Sequence, residues 1–361
     1  MRKLLQKLLR NPIRKLADKW SSRPRKAAIY KSFSELYKDI LLGKSKKGLI
    51  IPFDASSQFI IFSDQHKGGK DGSDIFALAE VNYLAALKYY NDNKFSFINL
   101  GDGEELWGNS VEKVISNNVA SFQAERNFSE RNAFYKIFGN HDLYWDNDPL
   151  AGFNLEKIYG KKIDIYEGLI LQSHLGDKML NVFLTHGHQG DLQSDGNWFS
   201  KWFVSNVWGP FQLYMQLNLN TPSVNDHLKT LHNSLMYEWS AAQENLLLIT
   251  GHTHQPVFES LTQLERLYTK IKNAKPEEID YIKNLQDQIN KRIEKGDAVP
   301  DFSAYEPTYF NSGCCCFDDG DISGIEISNG YIRLVKWEFE TGVASNRVVL
   351  EEILLNTLLY K

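Results

Sequence analysis

The sequence predicts an α/β fold that carries a metal site at one sheet edge. An apolar run at 60–62, a helix from the N-cap Asp74 to Tyr90 and a second apolar run at 95–100 give the strand, helix, strand order of a parallel pair. Five apolar runs end in Asp, Asn or His, and such residues meet beyond the carboxyl ends of strands in α/β sheets. The 361 residues, 42% hydrophobic and 24% charged, suffice for one large domain with insertions.

Residues 1–47 form a basic extension before the domain at 48–361. They carry 15 Lys and Arg against three acids, a net charge of +12, which leaves −16 for the rest of the chain. Apolar residues recur at three- and four-residue spacing within 2–20, with basic residues between them, which predicts a basic amphipathic helix limited or kinked at Pro12. This helix either lies on an anionic membrane surface or docks on the protein itself. Residues 31–42 are predicted to form the next helix.

The first pair of candidate ligands is Asp64 and His66, directly after the run at 60–62. Residues two apart on a strand point the same way, so both side chains can approach one point beyond the sheet edge. The other four runs end in similar side chains beside glycines, which allow tight turns. These ends are Gly101-Asp102, Gly139-Asn140-His141-Asp142, His186-Gly187-His188 and Gly251-His252-Thr253-His254.

The five motifs lie between residues 64 and 254. Their residues and their order along the chain resemble those of the calcineurin-like metallophosphoesterase superfamily. The resemblance implies a four-layer αββα sandwich, in which two mixed β-sheets pack together between helices. It also implies two divalent metal ions, the first bound by Asp64, His66, Asp102 and His254 and the second by Asp102, Asn140, His186 and His252. Asp102 would bridge the two ions, and His188 is the alternative to His186.

The chemistry that the resemblance implies is hydrolysis of a phosphate ester or phosphoanhydride by a hydroxide that bridges the metals. Two cations ~3.5 to 4 Å apart repel each other, and a bridging carboxylate and hydroxide offset that repulsion. His141 would protonate the leaving oxygen, oriented by Asp142, unless this pair only holds the loop. The mixed ligands suit Mn²⁺, Fe²⁺ or Zn²⁺, of which we expect Mn²⁺.

The motif from Gly101 to Trp107 bears on the substrate. It lacks the Asp-Arg of protein Ser/Thr phosphatases, and the tyrosine ligand of purple acid phosphatases is also missing. It resembles the Gly-Asp-x-x-Glu-x-Trp of UDP-diacylglucosamine pyrophosphatases, whose last motif is similar to residues 251–256. Those enzymes carry arginine where this chain has His141, so their substrate is not carried over.

Several functions therefore stay open beside general phosphoester hydrolysis. A UDP-diacylglucosamine-type pyrophosphatase at the membrane surface is one alternative, and a nucleic-acid phosphodiesterase is another. Nucleic acid is not the expected partner, because the acidic body repels a duplex. A scaffold without metals is not expected either, since every ligand position is filled. We expect a phosphorylated small-molecule or lipid-linked substrate, with residues 2–20 as the part that contacts an anionic membrane.

Two helical insertions are predicted within the domain. Residues 191–244 are rich in aromatics at helical spacing and read as a cap that leaves a ligand loop. Residues 258–298 contain two amphipathic stretches broken at 274–276, as in a helical hairpin. The aromatics of the cap either form its own core or shelter part of the substrate.

The C-terminal part returns to strands, predicted at 308–316, 322–328 and 331–339. Asn329-Gly330 between the last two predicts a tight hairpin. The three cysteines are consecutive, Cys314 to Cys316, so one points opposite to the others and bridging is difficult. They predict a reduced, cytoplasmic protein, either with a soft-metal site or, as we favour, with small buried side chains. No apolar run reaches the length of a signal-peptide core or a membrane span.

Overall fold

The structure is a computed structural model that describes residues 25–44, 46–71, 74–175, 178–190, 226–275, 277–294, 306–339 and 345–359. The basic segment 2–20 and residues 191–225 of the predicted cap lie outside these ranges. Their predicted helices therefore stay predictions.

The described strands alternate with helices along most of the chain. The strands are β1 (Gly48–Pro52), β2 (Phe59–Phe62), β3 (Ser96–Leu100), β4 (Phe134–Ile137), β5 (Ile165–Tyr166), β6 (Gly168–Leu175), β7 (Lys178–Thr185), β8 (Leu246–Thr250), β9 (Val257–Phe258), β10 (Leu261–Thr262), β11 (Tyr309–Asn311), β12 (Ile322–Ser328), β13 (Tyr331–Glu338) and β14 (Asn346–Leu354). The α-helices are α1 (Lys26–Leu41), α2 (Glu80–Asp92), α3 (Val111–Asn117), α4 (Val119–Glu130), α5 (Tyr144–Asn147), α6 (Ala151–Tyr159), α7 (Asp226–Ala241), α8 (Gln263–Asn273) and α9 (Ile279–Glu294). Short 3-10 helices lie at Phe76–Leu78 and Leu355–Leu359.

The strands form two mixed sheets. The first has the order β1-β6-β7-β8-β11-β9-β10, in which β7 and β8 pair in parallel. The second has the order β14-β13-β12-β2-β3-β4-β5, in which β2, β3 and β4 are parallel and β12 is antiparallel to β2. The candidate ligands follow β2, β3 and β4 of the second sheet and β7 and β8 of the first, each of which pairs in parallel with a neighbour.

Three apolar cores separate four layers. The central core lies between the sheets and includes Ile61 of β2 and Ile249 of β8. A second core packs α2, α4 and α6 on the outer face of the second sheet, with Tyr83 at its centre. A third packs α1 and α7 on the outer face of the first sheet, around Trp239. This is the four-layer αββα sandwich that the resemblance to the metallophosphoesterase superfamily implies.

Strand β2 shows how one short run of residues serves two layers. Ile60 and Phe62 belong to the core beneath the helices, whereas Phe59 and Ile61 belong to the core between the sheets. Successive side chains of a strand point to opposite faces, so a strand covered on both sides must be apolar throughout. The continuous apolar run therefore marks an internal strand.

Two local predictions are confirmed by the pairing of strands. Strands β2 and β3 lie parallel on either side of the connection through α2. Asn329 and Gly330 have φ values of +52° and +75° and join the antiparallel strands β12 and β13. Positive φ at both central residues is the requirement of the tight hairpin turn that Asn-Gly predicts.

Three other local predictions are wrong in detail. Asp74 accepts the N–H of Phe76 at 3.0 Å just before the short 3-10 helix, while α2 begins only at Glu80 and has Ala79 at its N-cap. Strand β11 ends at Asn311, because Gly313 has a φ of +76° that interrupts the extended chain. The cysteines 314–316 therefore lie in the connection to β12. Helix α1 begins at Lys26, five residues before the predicted start.

Helices α8 and α9 pack on each other beside the sandwich, through Leu264, Leu267, Leu285 and Ile289. A capping box formed by Thr262 and Glu265 starts α8. The boundaries of the insertions at 191–244 and 258–298 stay predictions. None of the described helices has the length and apolar composition needed to cross a membrane.

Candidate metal centre

The loops that follow five strands meet at one edge of the sandwich. In the second sheet, the N–H of Asp64 donates to the carbonyl of Gly101 at 3.0 Å, which joins the loops after β2 and β3. In the first sheet, the N–H of Gly251 donates to the carbonyl of His186 at 3.0 Å. The N–H of His252 donates to Asp64 Oδ2 at 2.9 Å and so connects the two sheets. The candidate ligands share one surface as a result.

The backbone is unusual at these loops, because five candidate ligands have positive φ. The angles are +53° at Asp64, +51° at His66, +50° at Asp102, +67° at His252 and +56° at His254. Non-glycine residues rarely adopt this region, at a cost of about 1–3 kcal/mol each where the surroundings enforce it. Strain concentrated on residues that share one surface indicates a functional site.

Asp64, His66 and His254 form the first group, here called cluster A. Asp64 Oδ1 lies 3.2 Å from His254 Nε2 and 3.8 Å from His66 Nε2. The two Nε2 atoms are 3.1 Å apart. Three potential ligand atoms thus face one point.

Asp102, His186 and His252 form the second group, cluster B. Asp102 Oδ2 lies 3.1 Å from His186 Nε2 and also 3.8 Å from His66 Nε2 of cluster A. Its carboxylate therefore stands between the clusters. Asn140 is buried and follows β4, while His188 lies beside His186, with ring centroids 5.4 Å apart, and is not a member of cluster B.

The residues of both clusters fit divalent metal ions. Four buried polar atoms of the candidate ligands make no hydrogen bond of normal geometry among the described residues, namely Asp64 Oδ1, Asn140 Oδ1, His186 Nε2 and His252 Nε2. Leaving a buried polar atom without a partner costs about 1–3 kcal/mol. Carboxylate, amide and imidazole atoms together suit divalent ions such as Mn²⁺ and Zn²⁺. A cation in each cluster would give these atoms the partner that they lack.

Contacts behind the clusters orient the candidate ligands. His186 Nδ1 donates to the carbonyl of Leu100 at 2.9 Å, which directs the lone pair of Nε2 towards Asp102. Asp64 Oδ2 accepts hydrogen bonds from the Ser63 hydroxyl and from the His252 N–H, which leaves Oδ1 facing cluster A. Gly139 must be glycine here, because a Cβ would collide with the Asp102 carboxylate.

The charges of the site favour cations. Burial raises the pKa of Asp64 and Asp102, but the positive charge on His254 and His186, respectively, outweighs burial and keeps each pKa well below its usual value. Burial lowers the pKa of His186 and His254, yet Asp102 and Asp64 raise the pKa of His186 to about 9, and Asp64 and Cys314 raise that of His254 to about 9. Two ionised carboxylates thus demand positive charge, which bound metal ions would supply in place of the histidine protons.

His141 lies at the edge of cluster A, between Trp107 and Glu105. Its ring stacks on Trp107 with centroids 4.0 Å apart, and its Nδ1 lies 2.7 Å from Glu105 Oε2. The same Glu105 oxygen lies 3.2 Å from His66 Nδ1. One carboxylate therefore fixes the tautomers of both histidines and leaves each Nε2 for the site.

Asp142 does not orient His141, the role expected of it from the sequence. Its carboxylate accepts the N–H of Gly103 at 2.8 Å and of Gly139 at 2.6 Å, so it holds two ligand loops together. Burial raises the pKa of Asp142 to about 6, with Glu104 and Asp102 acting in the same direction against Lys136. The expectation that Asp142 orients His141 is corrected, because Glu105 makes that contact.

Glu105→Gln is expected to lower kcat/KM by roughly 10- to 100-fold, the usual cost of removing the partner of a metal-ligating or catalytic histidine. A neutral amide accepts a weaker hydrogen bond than a carboxylate, so neither His66 nor His141 would be held as firmly. Steady-state kinetics with metal analysis measures the effect. Glu112→Gln, at an exposed position of α3, is the matched control. If Glu105→Gln hydrolyses a substrate with a poor leaving group at the wild-type rate, Glu105 does not orient the two histidines for catalysis.

A fully buried ionic network supports the floor of the site. Lys67 contacts both Glu125 and Glu104, and Lys136 Nζ lies 2.8 Å from Glu104 Oε2. Trp145 donates to Glu104 at 2.6 Å, while the hydroxyls of two tyrosines, Tyr83 and Tyr159, donate to Glu125 at 2.9 Å and 2.7 Å. Two positive and two negative charges are thus paired, as buried charges require. Lys136, a charged residue inside the otherwise apolar strand β4, is the sequence feature that could have indicated this network.

A family model described as calcineurin-like phosphoesterase matches residues 57–256. The chain belongs to the calcineurin-like phosphoesterase family. The matched region contains all candidate ligands and His141. Membership identifies a phosphoester hydrolase that depends on divalent metal ions, for which clusters A and B offer ligand groups.

Several solved structures match this phosphoesterase at low sequence identity. Vacuolar protein sorting 29 from Cryptosporidium parvum shares 12% identity and covers 83% of this chain and 100% of its own, with a TM-score of 0.33. A dimetal phosphatase from Danio rerio shares 11% identity over 82% of this chain and 100% of its own, with a TM-score of 0.34. The cold-active protein-tyrosine phosphatase of a psychrophilic Shewanella species shares 12% identity over 85% and 84%, with a TM-score of 0.35. No curated protein matches the chain.

Proposed function

We propose that this phosphoesterase binds two divalent metal ions, one in each cluster, and hydrolyses phosphate esters or phosphoanhydrides between them. The observation that carries the proposal is the place of Asp102, whose Oδ2 lies 3.1 Å from His186 and 3.8 Å from His66. A carboxylate that reaches both clusters is what a two-metal site needs as its shared ligand. Mn²⁺ is the metal we expect, with Fe²⁺ and Zn²⁺ as alternatives.

When bound, the two ions supply Lewis acidity towards the phosphoryl oxygens and a nucleophile at neutral pH. The chain supplies the proton for the leaving group. His141 donates Nδ1–H to Glu105, so the proton for the leaving oxygen would come from Nε2–H of the doubly protonated imidazolium, which becomes the neutral ring when it gives that proton up. Stacking on Trp107 restricts the ring to the orientation that this transfer requires.

A substrate panel assayed with Mn²⁺ tests the proposal. Chelated full-length protein would be given an aryl monoester, an aryl diester and a UDP-linked pyrophosphate, before and after addition of two equivalents of Mn²⁺. We expect hydrolysis of at least one class that requires the added metal and fails in Asp64→Asn. Hydrolysis that persists at full rate in the chelated protein, or none with any class, would contradict the proposal.

A UDP-diacylglucosamine-type pyrophosphatase is the second candidate, and one observation favours it. The Glu and Trp of the Gly-Asp-x-x-Glu-x-Trp motif are Glu105 and Trp107, and both contact residue 141, where the pyrophosphatases differ from this chain. The motif and its contact residue thus form one unit next to cluster A. Turnover restricted to the UDP-linked pyrophosphate would support this candidate over a general phosphoesterase.

For a lipid-linked substrate, residues 2–20 would hold the enzyme at an anionic membrane. Each basic residue contributes about 1 kcal/mol near such a surface, so reversing Arg10, Arg14 and Lys15 to glutamate should weaken vesicle binding by roughly 10² or more. Added salt should act in the same direction, because it screens the attraction. Co-sedimentation with phosphatidylserine vesicles measures the loss. Hydrolysis of a small soluble ester should not change.

The matched control reverses three exposed lysines of the helical hairpin, Lys272, Lys283 and Lys291. These changes alter net charge equally and leave the basic segment intact, so vesicle binding should fall less. If the wild type does not bind anionic vesicles at low salt, or if both triple variants lose the same affinity, the membrane role of residues 2–20 is wrong.

A further inference from the structure

The cysteine segment 314–316 lies against the first candidate ligand. The N–H of Cys315 donates to the carbonyl of Asp64 at 3.2 Å, and the N–H of Ser323 donates to the carbonyl of Cys314 at 3.0 Å. All three cysteines are free and buried. The segment is therefore fixed in place and holds unreacted thiols beside cluster A.

The three side chains do not face the same way. Cys315 belongs to the apolar core beneath the helices, and its Sγ lies 4.0 Å from the carbonyl of Ser323. Cys314 and Cys316 instead approach His254, and one ligand atom of each of these three residues lies within 4.8 Å of the other two. Cys316 Sγ is 3.8 Å from His254 Nδ1. Two sulfurs and one imidazole nitrogen thus converge.

These distances are close to those of a bound thiophilic ion. With Zn–S bonds of ~2.3 Å and Zn–N bonds of ~2.0 Å, the ligand atoms around a tetrahedral ion lie roughly 3.5 to 4 Å apart. Thiolates select soft and borderline ions, whereas the oxygen atoms of clusters A and B favour harder ones.

We propose that Cys314, Cys316 and His254 form a separate site for a thiophilic cation of the Zn²⁺ or Cd²⁺ class, and that its occupation inhibits hydrolysis. The inhibitory part rests on the proposed function and follows from the position of His254. Its Nε2 faces Asp64 and His66 of cluster A at 3.2 Å and 3.1 Å, while its Nδ1 faces Cys316. A neutral imidazole has one nitrogen lone pair, so His254 can bind either a cation between the two cysteines or a cation in cluster A, but not both at once.

The test is a Cd²⁺ titration of the full-length protein followed by the ultraviolet thiolate-to-cadmium charge-transfer band. We expect the wild type to give a band that saturates at one equivalent. Cys315→Ser is the matched control, since its sulfur faces away, and should give the same band. Cys314→Ser and Cys316→Ser should each weaken Cd²⁺ binding by roughly 10- to 100-fold or more. Loss of a hydrogen-bonding partner of a metal ligand alone costs roughly that much affinity, and these variants lose a ligand itself.

The same titration on Mn²⁺-loaded protein separates this site from the proposed function. Electron paramagnetic resonance of released Mn²⁺ should show one ion displaced by Cd²⁺ in the wild type and in Cys315→Ser, and far less in Cys316→Ser. This readout needs no turnover, so it would support the thiolate site even if every phosphoester failed as substrate. Absence of the band in the wild type, or equal loss of the band in all three serine variants, would overturn the proposal.

Discussion

Asp102→Asn is expected to lose both metal ions and to reduce hydrolysis to the level of the metal-free protein. Asp102 Oδ2 lies 3.1 Å from His186 of cluster B and 3.8 Å from His66 of cluster A, so in the proposed two-metal site its charge would serve both ions. Removing it weakens the hold on each and leaves the neighbouring histidines without their counter-charge. Lewis acidity is worth several kcal/mol, which corresponds to roughly 10³-fold or more in rate.

Metal analysis of the purified variant, together with its kcat, measures both parts of this prediction. Asp64→Asn provides a graded comparison, because Asp64 Oδ1 lies 3.2 Å from His254 of cluster A but 4.0 Å from His186 of cluster B, so its loss should deplete chiefly one ion. Asp54→Asn, in an exposed loop, controls for the loss of one carboxylate as such. Two full equivalents of metal retained by Asp102→Asn would show that Asp102 is not shared between the ions.

His141→Ala is expected to slow substrates with poor leaving groups by roughly 10² to 10⁴, the usual worth of positioned proton transfer. Metal content should stay at the wild-type level. The substitution keeps the backbone N–H of residue 141, which donates to Asp102 Oδ1 at 2.7 Å and helps to hold that carboxylate. It removes only the imidazole between Trp107 and Glu105.

Comparison of two substrates separates proton donation from a structural role. An alkyl phosphate has a poor leaving group and needs the proton, whereas an activated aryl phosphate departs without it. The loss should therefore be large for the first and small for the second. The double variant with Glu105→Gln should lose little more than His141→Ala alone if Glu105 acts mainly through His141. Equal losses on both substrates would leave His141 without a role as general acid.

The position of the candidate ligands was predictable because each follows an apolar run whose own burial fixes the strand. Asp64 and His66 follow β2, and His252 and His254 follow β8, so their places along the chain depend only on local pattern. The strand pairing that brings them together is not local. Strand β12 lies beside β2, far along the chain, and nothing in either run specifies that neighbour.

The contacts of His141 were not predictable, because they depend on loop conformation. Asp142 is adjacent in sequence, but the amides of Gly103 and Gly139 occupy its carboxylate. Glu105 reaches His141 from another loop, which the left-handed turn at Asp102 redirects. The cysteines illustrate the same limit, since the positive φ of Gly313 ends the expected strand and turns two thiols towards His254.

Anomalous diffraction from crystals grown with Mn²⁺ tests the central claim most directly. Two anomalous peaks ~3.5 to 4 Å apart are expected, one within cluster A and one within cluster B beside Asn140, with the Asp102 carboxylate between them. A single peak, or peaks that these residues do not contact, would contradict the claim that the strand ends of this phosphoesterase hold two metal ions.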